Sequence, residues 1–127
     1  MDITPLIRRN QQVIQTYKSG VFKISNVVYD HPVYVDADEV LCWNISGCAL
    51  GDIKPAHLHL IEERAGSLDV VLFGTGSKSA LLPDHLRDAF CTMGVAVDSM
   101  NTGAACRTFN VLMAEGRRVS CLLIPYL

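Results

Sequence analysis

A hydrophobic run, Val70-Val71-Leu72-Phe73, ends in Gly74-Thr75-Gly76, with Lys78 two residues further on. Junctions of this kind hold phosphate in many nucleotide-binding domains, where turn amides and a helix N-terminus face the anion. The spacing here matches neither phosphate fingerprint. GxxxxGK[ST] is absent, and GxGxxG fails because Ser79 stands where the third glycine belongs. No helix begins at once either, since the first helix signal, Pro83, lies several residues on. Taken alone, the glycines read as a tight strand-end turn that needs positive φ.

Other residues offer chemistry. Cys106 falls near the start of a helical segment, where the dipole would lower a thiol pKa. Yet Cys106, Phe109 and Met113 recur on one helical face, which reads as core, and no histidine stands nearby to activate a nucleophile. His57 and His59, with Glu62 and Glu63, invite a metal reading. The two histidines share a face only in a strand; in a helix only His59 and Glu63 align, and no third ligand is evident. No metal site and no cofactor are therefore expected. Glu115 and Arg117 flank Gly116, as an ion pair across a tight turn or as part of a partner-binding face. His31 before Pro32 reads as a turn residue and His85 as a solvated residue of a helix first turn. Trp43 reads as packing at the edge of the core.

The elements that must position these residues follow from pattern. "LDVVLFG" is almost continuously apolar and valine-rich, as in a strand covered on both faces. Pro83 suits a first helical position, and Asp84 adds favourable first-turn charge. Leu86, Phe90 and Met93 then form an apolar stripe that Gly94 stops. "VAVDSM" is the next strand, completing a β-α-β unit whose strands should be parallel with a right-handed crossover. "NTGAACRTFNVLMAEG" is a second helix, capped by Asn101 or Thr102 and ended by Gly116, and "RRVSCLLIP" is the last strand.

Towards the N-terminus, "QVIQTYKSG" ends in a Ser-Gly turn and "VFKISNVVY" alternates for part of its length. "DHP" turns, and "VYV" and "VLCW" are extended; together these predict hairpins packed beside the main sheet. Residues 44–56, with Gly47, Gly51 and Pro55, read as loop, and "AHLHLIEERAG" as a short helix closed by Gly66. The expected architecture is α/β. It is a layered single domain, residues 1–127, with a central mixed sheet, flanking helices and an additional N-terminal β-hairpin element.

Parallel strands place the ends of "VVLFG" and "VAVDSM" at one edge of the sheet. There Gly74, Thr75, Gly76 and Lys78 would face Asn101 and Thr102 at the start of the second helix. Ligand crevices in open α/β sheets form at this edge, and turn amides beside a helix N-terminus favour an anion. A weak site for an anion or small polar ligand is expected there, without a nucleotide fingerprint and without catalysis.

Composition bounds the function. A chain of 127 residues can bury roughly two-thirds of its unfolded surface, so it folds without staples. At 50% hydrophobic and 19% charged it is too apolar for a disordered chain. The net charge of −2, with no basic tract, argues against a nucleic-acid partner. No apolar stretch approaches a membrane span, and "MDITPLIRRNQQVIQTY" lacks the apolar core of a secretory signal, so a cytoplasmic protein is expected. The five cysteines, Cys42, Cys48, Cys91, Cys106 and Cys121, are odd in number and contain no CxxC pair. They read as reduced, mostly buried thiols.

"VVLFGTGSK" and "MGVAVDSMNTGAACRTFNVLMAEGRRVSCLLIP" resemble a family of small α/β proteins of largely unknown function, the Mth-type domain. Its animal members include a mitochondrial complex I assembly factor and an adipogenesis-associated protein. The family run T-x-x-A-C-x-T-[FY]-N-x-L-x-x-E-G-R is matched here by Thr102, Ala105, Cys106, Thr108, Phe109, Asn110, Leu112, Glu115, Gly116 and Arg117. "GVFKISNVVYDHPVYV", followed by Trp43, extends the resemblance to the N-terminal region. The resemblance implies a layered fold with a central mixed sheet and no carried-over catalytic residues. It also implies an unidentified protein partner.

These readings converge on a non-catalytic, cytoplasmic protein-interaction or assembly-factor-like domain, with Glu115 and Arg117 as candidate partner contacts. The alternative is a small anionic-ligand-binding protein, or an enzyme, using the crevice at Gly74-Thr75-Gly76. The oligomeric state, a homo-oligomer included, is left open by the sequence.

Overall fold

The computed structural model describes residues 11–45 and 49–125. Expectations that fall on residues 1–10, and on Gly47 and Cys48, lie outside them.

The last strand organises the fold. In β8 (Val119–Leu123) all five residues are buried, because the strand is covered on both faces. It lies between β4 (Val33–Val35), antiparallel, and β6 (Val70–Gly74), parallel. β5 (Val40–Cys42) and β7 (Ala96–Met100) form the edges, giving the order β5-β4-β8-β6-β7. The period-2 alternation of side chains sorts the core into two clusters. Val33, Val35, Leu72, Val119, Cys121 and Leu123 face one way. Tyr34, Val71, Phe73 and Leu122 face the other. The first face is covered by α3 (Thr102–Ala114) and by a separate three-stranded antiparallel sheet. The second is covered by α1 (His59–Arg64), α2 (Asp84–Met93) and the buried Trp43.

The expected β-α-β unit is present: β6 and β7 are parallel, with Gly74 opposite Met100. Cys106, Phe109 and Met113 are core, as their helical spacing indicates. Both long helices end in left-handed glycines. At the end of α3, Gly116 (φ 77°) sends its N–H to Met113 O while Arg117 sends its N–H to Leu112 O. This pair of bonds is a Schellman motif, and a side chain at a positive φ would be strained there.

The N-terminal half differs from the sequence reading in its pairing. "VYV" and "VLCW" do not lie beside the main sheet; as β4 and β5 they belong to it. The burial of all three β4 residues shows why, since three residues are too few to display the double-sided pattern of an inner strand. "VFKISNVVY" is two strands, β2 (Phe22–Ile24) and β3 (Val27–Tyr29). Ser25 (φ 49°) and Asn26 (φ 71°) turn the chain between them, as a two-residue hairpin with matching twist requires. With β1 (Ile14–Thr16) they form the outer sheet, which is the expected additional β element.

That sheet docks on α3 through Ile14, Phe22 and Ile24 and through one polar side chain of the family run. Asn110 accepts from Ile14 N (3.0 Å) and donates to Ile14 O (2.8 Å), pairing with β1 as a neighbouring strand would.

Smaller corrections concern ends and burial. Pro83 is the N-cap of α2 and not its first residue. Gly66 lies inside a 3₁₀ turn, Ala65–Ser67, that follows α1. Cys42 and Cys91 are exposed, so of the four described thiols only Cys106 and Cys121 are buried. Trp43 is fully inside the core, edge-on to Phe73 with ring centroids 5.4 Å apart, and its indole N–H donates to His57 O. His85 is not merely solvated; its Nε2 lies 2.7 Å from Ile53 O. His31 Nδ1 lies 2.8 Å from Pro32 O, in keeping with a turn.

Candidate functional site

Chain order around β6 creates a switch point. From β6 the chain runs through α2 to β7 on one side, then through α3 to β8 on the other. In an open sheet the crevice at the carboxyl ends of such strands is the usual ligand site. Gly74, Thr75, Gly76, Asn101 and Thr102 are all brought together there.

Their polar groups are turned onto one another. Thr75 N–H donates to Met100 O (2.9 Å), and Thr102 N–H donates to Gly76 O (2.8 Å). The Thr102 hydroxyl, fully buried, accepts from Gly76 N–H (2.9 Å) and donates to Ile124 O (2.6 Å). Thr75 Oγ1 lies 2.7 Å from Lys78 O and 3.1 Å from Met100 O. Asn101 is the N-cap of α3, its Oδ1 accepting from Ala104 N–H (2.8 Å). Lys78 is exposed on the loop beyond.

Gly74 is required by closeness. A Cβ there would lie 3.0 Å from both Leu123 Cδ2 and Thr102 Oγ1, and 3.1 Å from Thr102 Cα. Thr102 therefore fills the switch point, and the amides of Thr75, Gly76, Thr102 and Ala104 are used within the chain.

Among the described residues the opposite edge of the sheet is open. A groove of about 430 Å³ runs between the β4–β5 turn, the start of β6 and the turn from α3 to β8. Met113, Val119, Leu68 and Ala37 give it apolar surface, while Asp36, Asp38, Glu115, Arg117 and Arg118 supply charge. Glu115 and Arg117, named from sequence, thus line one concavity. They do not pair with each other. Arg117 Nε lies 4.0 Å from Asp69 Oδ2, and among the described residues the Glu115 carboxylate has no ion pair.

Asp69 also accepts from Arg118 Nη2 (2.7 Å, Oδ1) and from Arg118 N–H (3.0 Å, Oδ2). These Arg118 hydrogen bonds hold the Asp69 carboxyl below its usual range. On the other wall, Asp36 accepts from Tyr34 Oη (2.7 Å) and from the N–H groups of Asp38 (2.8 Å) and Glu39 (3.0 Å). Arg64 lies over the Tyr34 ring (5.2 Å) and reaches Asp36 and Glu39. Burial, with the bond to Asp36, pushes the Tyr34 phenol well above its ordinary range.

Sequence reasoning missed Asp36, Asp38, Asp69 and Arg118. The run Asp36-Ala37-Asp38-Glu39 was readable as an acidic turn, but its meeting with Glu115 depends on β4 pairing with β8.

Cys106, 1% exposed, is pushed up to about 12 by burial, so the helix N-terminus does not make it a thiolate. Among the described residues no group of three or more His, Cys, Asp or Glu could hold a metal ion. Nor, among them, is any helix long and apolar enough to cross a membrane.

Residues 14–124 match the model of a family described as protein of unknown function (DUF498/DUF598). The "13 kDa major membrane protein" of Francisella tularensis is 35% identical over 108 residues, covering 85% of this chain and 86% of that one. The NADH dehydrogenase [ubiquinone] 1 alpha subcomplex assembly factor 3 of Xenopus tropicalis is 31% identical over 112 residues, covering 88% of this chain. This chain spans only 60% of that assembly factor's length.

A crystal structure from Bordetella parapertussis is 33% identical, with TM-score 0.80 over 91% of this chain and 96% of that one. The solution structure of a Mth938-like domain from Bordetella pertussis is 27% identical, with TM-score 0.78 over 93% and 88%. The match to the family's model, sustained from β1 to just past β8 and echoed in the layered mixed sheet of its solved relatives, makes this chain a member of the DUF498/DUF598 family with a Mth938-like fold.

Proposed function

We propose that the chain is a non-catalytic protein-interaction factor, assembly-factor-like, that receives part of a partner protein in the groove at the Glu115–Arg118 edge. The carrying observation is the contrast in hydrogen bonding. Among the described residues the groove is open, with exposed charges at its rim, while the crevice at Gly74-Thr75-Gly76 is occupied by Thr102. Open concavities with an apolar centre and a polar rim suit recognition of another chain. The kinship with relatives named as complex I assembly factors supports the same class. A cytoplasmic location is part of the proposal, although one relative carries the name of a membrane protein.

The test is quantitative affinity purification from native cells, comparing the wild-type chain with a Glu115→Lys/Arg117→Glu variant. A co-purifying protein lost from the variant supports the proposal; an identical set from both chains contradicts it. Native mass spectrometry of the purified chain examines the alternative of a small anion held by Lys78 and the 74–76 turn. A retained metabolite whose release follows Lys78→Ala would favour that reading. Fractionation of the same cells tests the location, and recovery in the membrane pellet would contradict a cytoplasmic protein.

A further inference from the structure

Building on the proposal that the groove receives a partner, we infer that its occupant is a basic segment, inserting one arginine or lysine side chain. Charge and floor both point this way. The two guanidinium groups at the groove share one counter-ion: Arg118 is hydrogen-bonded to Asp69 through both side chain and backbone, and Arg117 lies 4.0 Å from the same carboxylate. Asp36 is engaged by Tyr34, Arg64 and two backbone amides.

Asp38 and Glu115 remain. Both are exposed and line the groove, and among the described residues neither carboxylate has an ion pair or a hydrogen bond. Along the groove three carboxylates (Asp36, Asp38, Glu115) stand against two guanidinium groups (Arg117, Arg118), a net −1. The carboxyl end of α3, which terminates here, adds roughly half a negative charge.

The floor fits the other part of such a side chain. Leu68 and Ala37, half-buried, give the groove its apolar surface, over the buried Met113 and Val119. Arginine and lysine lay a hydrocarbon stem on apolar surface and keep the charged head among polar groups. An acidic guest would instead meet two unpaired carboxylates, and like charges brought together at an interface disfavour binding.

The probe is the blocked peptide acetyl-Gly-Ala-Arg-Ala-Gly-amide, titrated into the full chain and followed by amide and methionine-methyl NMR. Its controls replace arginine with norleucine or glutamate. Saturable shifts at Met113 and residues 115–119 are expected with the arginine peptide. Binding should weaken at least tenfold in Asp38→Asn/Glu115→Gln, and should weaken with added salt. The glutamate peptide should leave those resonances still. Both substituted side chains are exposed and unpaired, so the variant's spectrum should stay dispersed and native-like.

An arginine peptide that produces no shift overturns the inference, as does equal binding by the glutamate or norleucine peptide, or binding that the double variant leaves unchanged. If the arginine peptide is silent while partner capture still depends on Glu115 and Arg117, the basic class of occupant is wrong and the groove itself stands.

Discussion

The two edges of the five-stranded sheet are built from the ends of the same strands, yet they differ in what their polar groups face. At the carboxyl ends of β6 and β7, Thr102 binds Gly76 on one side and Ile124 on the other, and the amides of Thr75 and Gly76 are satisfied internally. At the amino ends of β6 and β8, Asp38 and Glu115 face a groove without partners among the described residues. A switch point is only a place where the backbone makes room, and a single buried threonine can use that room for stability. The proposed recognition surface lies elsewhere, where the chain leaves charge and apolar surface uncommitted among the described residues.

Helix α3 joins the two edges, its N-terminus at the filled crevice and its C-terminus at the groove. The largest effect is expected from its core face. Phe109 is fully buried, and Phe109→Ala should cost about 3–5 kcal/mol in chemical denaturation. A near-neutral result would mean that this face is not packed, and the contrast between the edges would lose its common frame.

The closed edge comes next. Thr102→Val keeps the shape but leaves Gly76 N–H and Ile124 O without their hydroxyl partner. A buried, unpaired group costs about 1–3 kcal/mol and the part-buried Ile124 O less, so a loss of about 2–4 kcal/mol is expected, and Thr102→Ser should retain most of the stability. Equal stability for Val and Thr would show that the crevice is not held by this hydroxyl.

Between the edges, Cys106 makes the core sensitive to alkali. Its folded value of about 12 stands above the ordinary thiol value of 9.0, so above pH 9 the unfolded chain binds fewer protons than the folded one. The contribution is complete below pH 9 and is lost as pH rises towards 12. Melting temperatures should therefore fall from about pH 9 upward, less steeply in Cys106→Ala. An identical slope in that variant would contradict the assignment; Cys121, also raised by burial, and Tyr34 supply the remainder.

The smallest effect on stability belongs to the open edge. Glu115→Gln and Arg117→Ala are exposed and should each change stability by no more than about 0.5 kcal/mol. A loss comparable to that of Thr102→Val would make these residues structural and remove the contrast.

Much of this architecture is legible in the sequence. The continuous apolar run of β6, the Asn101 and Gly116 boundaries of α3 and the parallel pairing of β6 with β7 follow from local pattern. The N-terminal strands are harder, because segments of three residues carry too little periodicity to reveal which sheet they join. The site divides the same way. Gly74 to Gly76 and Thr102 are visible as a junction, but nothing local reveals that the threonine would turn inward and close it. Asn110 mimics a strand partner across 96 residues of chain, and Asp36, Asp38 and Glu115 meet only because β4 lies against β8.

The contrast can be read directly in living cells by placing a photo-crosslinking amino acid at one edge or the other. Position 115 carries it at the groove and position 78 at the crevice, both on exposed residues. The expected result is a discrete crosslinked protein from position 115, suppressed by Asp38→Asn, with none from position 78. The same protein captured from position 78 and not from 115 would contradict the account.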